Sequence, residues 1–338
     1  MTKRRLSRQQ VARIRQIHDR SRERASTRAA RQAERLDSAA LGSEQHGLVI
    51  ANFGTNAIIE DRDGNPHRCV PRQNMDTLVC GDRVIWQSSG TEEGVVVALE
   101  PRRTLLTRPG YDGHPRPVVA NLDQMVLVIA PKPDFIESLL DRYLIVLSNL
   151  GIDTLLVLNK IDLLGAAERQ ALHTRLATYQ RIGYQLLEAS NRTAHGLDAL
   201  RARLQNRTSI LAGQSGVGKS SLIKSLLPDQ DIRIRALSEA TGLGTHTTTT
   251  SMLYHLPNGG DLIDSPGVRS FEPGEVSLQD LEHGFIEFQA YLGHCKFSNC
   301  SHTVEPACAL REAVAQGAID PRRFASFQQL RNRITTSN

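Results

Sequence analysis

One loop constrains this chain more than any other feature. Residues 213–220 read GQSGVGKS, a complete G-x-x-x-x-G-K-S pattern between the apolar run SILAG (209–213) and a helical apolar stripe at 222–227. Such a loop points backbone N–H groups at a phosphate, its lysine reaches the β- and γ-phosphates, and its serine hydroxyl binds Mg²⁺. The pattern predicts a nucleoside triphosphate site made by Gly213, Gln214, Ser215, Gly216, Val217, Gly218, Lys219, Ser220 and Ser221, with Ser220 on Mg²⁺.

The residues NKID at 159–162 indicate the base of the nucleotide. They stand at the end of the strand-like run TLLVLN. A carboxylate at Asp162 can accept hydrogen bonds from N1–H and the exocyclic amine of guanine, whereas adenine offers no matching pair of donors. A surface turn is the alternative for so short a match, but its place on the predicted sheet favours GTP over ATP. The predicted base contacts are Asn159, Lys160, Ile161 and Asp162, with a backbone contact from Ser190 at the end of YQLLEAS.

Two downstream segments are typical of the Mg²⁺ and γ-phosphate side of such a site. DSPG at 264–267 follows the strand-like run GDLID, so Asp264 is expected to hold Mg²⁺ through water while the Gly267 N–H contacts the γ-phosphate. GLGTHTTTT at 242–250 combines glycines with a row of hydroxyls, as switch segments do. The pattern does not say which threonine binds Mg²⁺, and the nucleotide-binding candidates are Thr247 and Thr248.

Val268 stands directly after Gly267, where many GTPases carry a glutamine that positions the attacking water. Because an apolar side chain cannot orient water, we predict slow intrinsic turnover. His246, in the predicted switch segment, is the candidate that orients water once a partner closes the site, and an exposed histidine without a role is the alternative. The predicted catalytic residues are Lys219, His246, Asp264 and Gly267.

The order of these motifs is unusual. In Ras-like GTPases the phosphate loop comes first and N-K-x-D last, whereas here Asn159 precedes Gly213 by 54 residues. Apolar runs alternate with helical stripes from 124 to 227, and Asp134 with Glu137 predicts a capping box at the start of the first helix. The pattern predicts a circularly permuted parallel sheet with helices on both faces. In this order the switch segments connect directly to the C-terminal region.

In front of this sheet, residues 46–100 contain short β segments without a helical period. The segments are GLVIAN, NAIIED, DRVIWQ and GVVVAL, and an Asp-Gly turn signal at 63–64 follows the second. Such strands predict a small β-barrel of the OB type, a fold often used to hold oligonucleotides. Buried packing is predicted for Cys69, Cys80 and Trp86, and a loop for 108–117.

The remaining cysteines lie close together near the C-terminus. Cys295-x₄-Cys300-x-His302-x₅-Cys308 offers three thiolates and an imidazole, which can close a tetrahedral structural Zn²⁺ site with no open position for catalysis. Small buried cysteines are the alternative reading. His294 is a second imidazole beside Cys295, but spacing favours His302. Helical segments near 306–316 and 320–334 follow the cluster.

Composition narrows the class further. No apolar run approaches the roughly 18 residues that cross a bilayer, which excludes an integral membrane protein. Five cysteines in 338 residues do not make a disulfide scaffold, so a reducing compartment is expected. Residues 1–40 hold 12 Lys/Arg against 4 Asp/Glu, while the rest of the chain holds 29 against 32. We expect this basic arm, solvated when free, to bind nucleic-acid phosphates; an organelle transit peptide is the alternative.

The permuted order, the barrel in front and the Cys₃His cluster behind together resemble the ribosome small-subunit-dependent GTPase A family (RsgA, also called YjeQ). The resemblance covers about residues 45–334 and rests on NKID, GQSGVGKSS, GLGTHTTT, DSPGV and the four metal ligands. It implies a cytoplasmic bacterial GTPase that binds the small ribosomal subunit late in maturation. It further implies that the subunit stimulates hydrolysis of GTP to GDP and phosphate, and that barrel and zinc unit contact ribosomal RNA.

The predicted architecture is therefore multidomain. It consists of a basic N-terminal arm (1–44), an OB-type RNA-binding β-barrel (45–107), a circularly permuted α/β P-loop GTPase domain (118–277) and a zinc-binding α-helical domain (278–338). The expected function is that of a monomeric maturation checkpoint factor that uses GTP, Mg²⁺ and one Zn²⁺. A GTP-dependent protein-interaction switch without an RNA partner is the alternative. A P-loop kinase is disfavoured because N-K-x-D and D-x-x-G have no use there.

Overall fold

The computed structural model describes residues 41–110, 114–229, 251–265, 268 and 276–337. These residues fall into two compact units. The first takes the described residues of Met1–Asn121 and Asp229–Tyr254, and the second those of Leu122–Pro228 and His255–Asn338. Within the described parts of the chain, every helix is too short or too polar to span a bilayer.

The first unit is built on a closed five-stranded barrel. Its strands are β1 (Glu44–Asn52), β2 (Ala57–Glu60), β3 (Pro66–Pro71), β4 (Arg83–Ser88) and β5 (Glu93–Leu99). They pair in the order β1-β2-β3-β5-β4, and β4 returns to β1; only the β3–β5 pair is parallel. This connectivity confirms the predicted OB-type barrel. Trp86 fills its core at 1% exposure, and Cys69 is fully buried beside it.

Two parts of this unit differ from the sequence prediction. β3 was not predicted because prolines bound it at both ends. The prediction of a loop over the whole of 108–117 is wrong, because both ends of that range lie in strands. These strands, β6 (Leu105–Pro109) and β7 (Pro115–Ala120), form an antiparallel hairpin. Prolines are tolerated there because a two-stranded ribbon has outer edges that need no N–H partner. β12 (Met252–His255) also pairs antiparallel with β1.

The second unit contains a parallel sheet. Its strands are β8 (Gln124–Ile129), β9 (Asp153–Asn159), β10 (Gln185–Ala189), β11 (Thr208–Ala212) and β13 (Asp261–Asp264), in the spatial order β10-β9-β8-β11-β13. Every neighbouring pair is parallel. All six residues of β8 are buried, as expected for a central strand. The predicted α/β alternation is confirmed, and the carboxyl ends of all five strands meet at one edge.

Helices connect these strands: α1 (Glu137–Asn149), α2 (Ala166–Arg181), α3 (Asp198–Leu204) and α4 (Lys219–Leu226). The predicted capping box at the start of α1 is wrong. Ile136 is the N-cap and no side chain caps the helix, because Asp134 instead binds the guanidinium of Arg175 at 2.8 and 3.1 Å. The carboxylate of Asp134 is therefore directed to the guanidinium and not to the first N–H groups of α1.

The C-terminal segment packs on α1 within the same unit. It comprises α5 (Leu278–Gly284), a 3₁₀ turn (Ile286–Phe288), the cysteine-bearing loop, α6 (Ala309–Ala315) and α7 (Pro321–Ser337). Phe285, Phe288 and Phe327 share a core with Ile145 of α1. α5 approaches α1 so closely that a methyl group on Gly284 would lie 2.4 Å from Cγ2 of Ile145. The helices predicted near 306–316 and 320–334 are confirmed, and α1 shares a core with this segment.

Candidate nucleotide site and metal centre

The glycine-rich loop leaves β11 at Ala212 and enters α4 at Lys219. Gly213 passes against the backbone of β8, where a Cβ would lie 2.2 Å from the carbonyl oxygen of Val128. Gly218, in a left-handed conformation at φ 101°, is the N-cap of α4 and leaves the helix without a side-chain cap. Gly218 therefore offers no side-chain acceptor to the first N–H groups of α4, which suits an anion at this helix end.

The side chain of Lys219 lies against the carbonyl oxygens of this loop. It is 7% exposed, and its Nζ donates hydrogen bonds to the carbonyl oxygens of Gly213 at 2.7 Å and Gln214 at 2.6 Å. These contacts hold a positive charge against the loop. Ser215, Ser220 and Ser221 are exposed. The loop thus offers an ammonium, hydroxyls and backbone donors to the phosphates of a nucleotide.

The NKID segment is tied to this loop by two side chains. Asn159, at the end of β9 and 3% exposed, donates from Nδ2 to the carbonyl oxygen of Val217 at 2.9 Å. Lys160 has a left-handed φ of 62° and donates from Nζ to the carbonyl oxygens of Gly216 at 2.5 Å and Lys132 at 3.0 Å. These bonds join base-side residues to the phosphate loop across 56 to 58 positions of sequence.

Asp162 faces the same region and is oriented by a buried serine. Ser190, 1% exposed after β10, donates from Oγ to Oδ1 of Asp162 at 2.5 Å and accepts the backbone N–H of Arg192 at 3.1 Å. The sequence had predicted only a backbone role for Ser190, because its side-chain partner lies 28 residues away. A cavity of about 250 Å³ is lined by Asn159, Lys160, Asp162, Leu163, Asn191, Arg192, Gly218 and Ser221.

The remaining residues predicted for this site divide into described and undescribed positions. Asp264 ends β13 at 8% exposure, on the strand edge where β11 turns into the phosphate loop. Val268 is fully buried. His246, Thr247, Thr248 and Gly267 lie outside the described residues.

The Cys₃His cluster is compact. The Sγ atoms of Cys295, Cys300 and Cys308 and a ring nitrogen of His302 all lie within 4.8 Å of one another. Nδ1 of His302 is 3.5 Å from Sγ of Cys295 and 3.3 Å from Sγ of Cys308, and those two sulfurs are 3.9 Å apart. Tetrahedral zinc with Zn–S bonds of about 2.3 Å needs ligand atoms roughly 3.8 Å apart, so the four residues fit the ion.

Burial favours the ligand form of the histidine. His302 is 5% exposed, and burial lowers its pKa, which favours the neutral imidazole. Its other ring nitrogen, Nε2, lies 3.8 Å from a carboxylate oxygen of Glu282, which is beyond hydrogen-bond distance. Burial also raises the pKa of Cys300 to about 12 in the metal-free protein, so metal binding displaces protons.

Glu305 supports the loop that carries these ligands, and sequence reasoning had missed it. Its carboxylate accepts backbone N–H groups from Ser301 at 2.8 Å, Thr303 at 3.0 Å and Val304 at 3.1 Å. Hydrogen bonds, first those from Ser301, hold the pKa of Glu305 at about 2. The only sequence signal was an acidic residue midway between His302 and Cys308.

A phosphate loop, a guanine-type base segment and a strand-end aspartate on one parallel sheet, with the base segment first in the chain, define a circularly permuted P-loop GTPase. The model of the RsgA GTPase family matches residues 99–273. The small ribosomal subunit biogenesis GTPase RsgA of Azotobacter vinelandii is 49% identical, with 98% of this chain and 97% of that protein covered. Its Pseudomonas aeruginosa counterpart is 47% identical over the same shares. This chain belongs to the RsgA GTPase family.

Solved structures agree with this assignment. YjeQ from Thermotoga maritima is 29% identical and superposes with a TM-score of 0.71, covering 87% of this chain and 99% of that one. YloQ, described as a circularly permuted GTPase, is 26% identical with a TM-score of 0.71, covering 88% and 96%. The resemblance inferred from the sequence is therefore confirmed.

Proposed function

We propose that this chain is a GTPase that acts in small ribosomal subunit biogenesis, as the names of its relatives describe. In this role it binds the subunit as a late maturation checkpoint factor and hydrolyses GTP to GDP and phosphate faster when bound. The observation that carries the proposal is the joining of NKID to the phosphate loop through Asn159 and Lys160. Base recognition and phosphate binding then occur on one framework.

The described side chains have distinct tasks in this proposal. Asp162, oriented by Ser190, accepts both guanine donors, and a base without them leaves a charged acceptor unpaired. The ammonium of Lys219 and the N–H groups at the start of α4 neutralise the phosphates. Ser220 and Asp264 would hold Mg²⁺, which would neutralise negative charge on the phosphates. No residue among these is a general base.

Hydrolysis needs a positioned water, and the chain supplies little for this. Val268 is buried and apolar, so it cannot hydrogen-bond the water. We assign that task to His246, with Gly267 on the γ-phosphate and Thr247 or Thr248 on Mg²⁺. Closure of these residues on the bound subunit would explain stimulation. Slow turnover in isolation is expected.

Binding to the subunit is assigned to the barrel, the zinc-bearing segment and the basic arm. Each would contact ribosomal RNA, with Cys295, Cys300, His302 and Cys308 holding one structural Zn²⁺. We propose domain bounds of 1–44, 45–107, 118–277 and 278–338. A monomer in the cytoplasm completes the proposal.

Co-sedimentation tests this function directly. Small subunits are pelleted with the protein in the presence of a non-hydrolysable GTP analogue, GDP or no nucleotide, and large subunits serve as the control. We expect retention on small subunits that is strongest with the GTP analogue and lost in Lys219→Ala. Equal retention on both subunits, or none, contradicts the proposal.

A further inference from the structure

The loop between β8 and α1, residues 130–136, lies beside the phosphate loop and is named the β8–α1 loop. A methyl group on Gly216 would lie 3.4 Å from Cδ of Pro133, so the proline ring lies beside Gly216. The carbonyl oxygen of Lys132 accepts a hydrogen bond from Nζ of Lys160 at 3.0 Å, and the same Nζ binds the carbonyl oxygen of Gly216 at 2.5 Å. The β8–α1 loop therefore takes part in the junction between base segment and phosphate loop.

This loop has little support of its own. Lys132, Pro133 and Asp134 are exposed, Ile136 is 56% exposed, and no side chain caps the helix that follows. Only Phe135 within 131–136 is buried. A segment with so few buried contacts would sample other conformations unless a partner held it.

Arg175 of α2 is that partner. Its guanidinium donates to Asp134 at 2.8 and 3.1 Å, to the carbonyl oxygen of Phe135 at 3.0 Å and to Glu137 at 2.7 Å. Its Cζ also lies 4.0 Å from the centroid of the Phe135 ring. Four hydrogen bonds and a ring contact from one planar group fix the end of the loop and the first turn of α1, a geometry that lysine cannot reproduce.

We propose that Arg175 is a positioning residue for nucleotide binding, holding the β8–α1 loop against Gly216 and within reach of Lys160. The inference rests on the proposed function, since it concerns the same GTP site. Arg175 touches neither the phosphate loop nor the NKID segment in the contacts above. Its effect therefore passes through the loop conformation and falls on affinity rather than on the chemical step.

The size of the effect follows from how exposed the ion pairs of Arg175 are. Arg175 and Glu137 are 30% and 28% exposed and Asp134 is 64% exposed, so each ion pair is modest. Loss of these contacts lowers the fraction of molecules with a binding-competent loop, and the apparent affinity falls in proportion to that fraction. We expect the dissociation constants for GDP and GTP to rise about tenfold, with turnover at saturating GTP unchanged.

The test compares Arg175→Gln and Arg175→Lys with Arg169→Gln. Arg169 lies on the same helix and pairs with Glu188, so its variant removes the same charge without touching the β8–α1 loop. Dissociation constants and release rates of fluorescent GDP and GTP are measured at a temperature where circular dichroism shows every variant folded, together with KM and kcat. Arg175→Gln should bind both nucleotides about tenfold more weakly with kcat kept, Arg175→Lys should be intermediate, and Arg169→Gln should match the wild type.

The outcomes separate this inference from the function it rests on. A wild-type protein that binds neither nucleotide contradicts the proposed function. If the wild type binds and folded Arg175→Gln has dissociation constants within about twofold of the wild-type values, only the role of Arg175 is overturned. An equal loss of affinity in Arg169→Gln overturns that role as well. If Arg175→Gln fails to fold, Asp134→Asn replaces it: this exposed loop-side change should weaken GDP binding about threefold, and unchanged binding overturns the inference.

Discussion

Arg323 on α7 is the clearest place to test what holds the C-terminal segment to the GTPase sheet. Its side chain is 2% exposed; it donates to Asp141 of α1 and, at 2.7 and 3.1 Å, to Glu287. Tyr179 of α2 donates to the same carboxylate of Asp141 at 2.8 Å. One guanidinium therefore neutralises two buried carboxylates across four elements of the second unit.

Arg323→Met removes that charge while keeping an apolar side chain of similar length. The carboxylates of Asp141 and Glu287, 1% and 8% exposed, then lose their cation, and loss of one partner from a buried pair typically costs about 3–5 kcal/mol. Arg322→Met is the matched control. Arg322 is 45% exposed and pairs mainly with Asp320, so its loss should cost at most about 1 kcal/mol.

The cost at position 323 should depend on pH. Burial raises the pKa of Asp141 against the opposing pull of Arg323. A carboxyl group whose folded-state pKa lies above its unfolded value contributes stability at low pH that is lost as pH rises. Without Arg323 the folded-state pKa of Asp141 rises further, so the deficit of Arg323→Met should grow as pH rises from the raised folded-state pKa of the wild type towards the still higher one of the variant.

Urea unfolding followed by helical circular dichroism at pH 5 and pH 8 gives the free energy of unfolding of each variant and its dependence on pH. The reasoning predicts a deficit of about 3–5 kcal/mol at pH 8 that is smaller at pH 5, with Arg322→Met near the wild type at both. A deficit of Arg323→Met below about 1 kcal/mol at pH 8, or one larger at pH 5, would refute it.

Three further predictions concern the base, the α1–α5 contact and the metal. Asp162→Asn should weaken GTP binding by about 10- to 100-fold and narrow the preference over ATP, measured by competition with fluorescent GDP, while exposed Asp198→Asn should not. Gly284→Ala should lower the free energy of unfolding by about 1–3 kcal/mol in thermal unfolding, because its methyl group would overlap Ile145. In the double variant with Ile145→Ala, the combined loss should be smaller than the sum of the two single losses. Mass spectrometry should find one zinc per chain that Cys308→Ser abolishes; chelation should then expose the cluster thiols to a thiol reagent and leave buried Cys69 unreactive.

Local chemistry explains what the sequence could predict. The phosphate loop, NKID and the cysteine spacing each place their functional groups within a few residues, so their proximity follows from chain connectivity. Apolar runs of strand length likewise identified β8, β9 and β11, whose burial on both faces leaves a continuous apolar signature.

Features that depend on distant partners could not be predicted. Asp134 reads as a helix cap until Arg175, 41 residues away, is beside it. Arg323 and Asp141 are 182 positions apart, and a buried arginine on α7 looks like any surface charge in the sequence. The β6–β7 hairpin was hidden for a different reason, since prolines suppress a strand signal even where the ribbon edge tolerates them.

GTP hydrolysis with and without ribosomal subunits tests the central claim most directly. Phosphate release by the purified protein is followed with GTP or ATP, alone and with added small subunits, large subunits or total RNA. The account predicts slow GTP turnover in isolation, a selective increase with small subunits, and no comparable ATP hydrolysis. Turnover that small subunits leave unchanged, or that ATP supports equally, would contradict it.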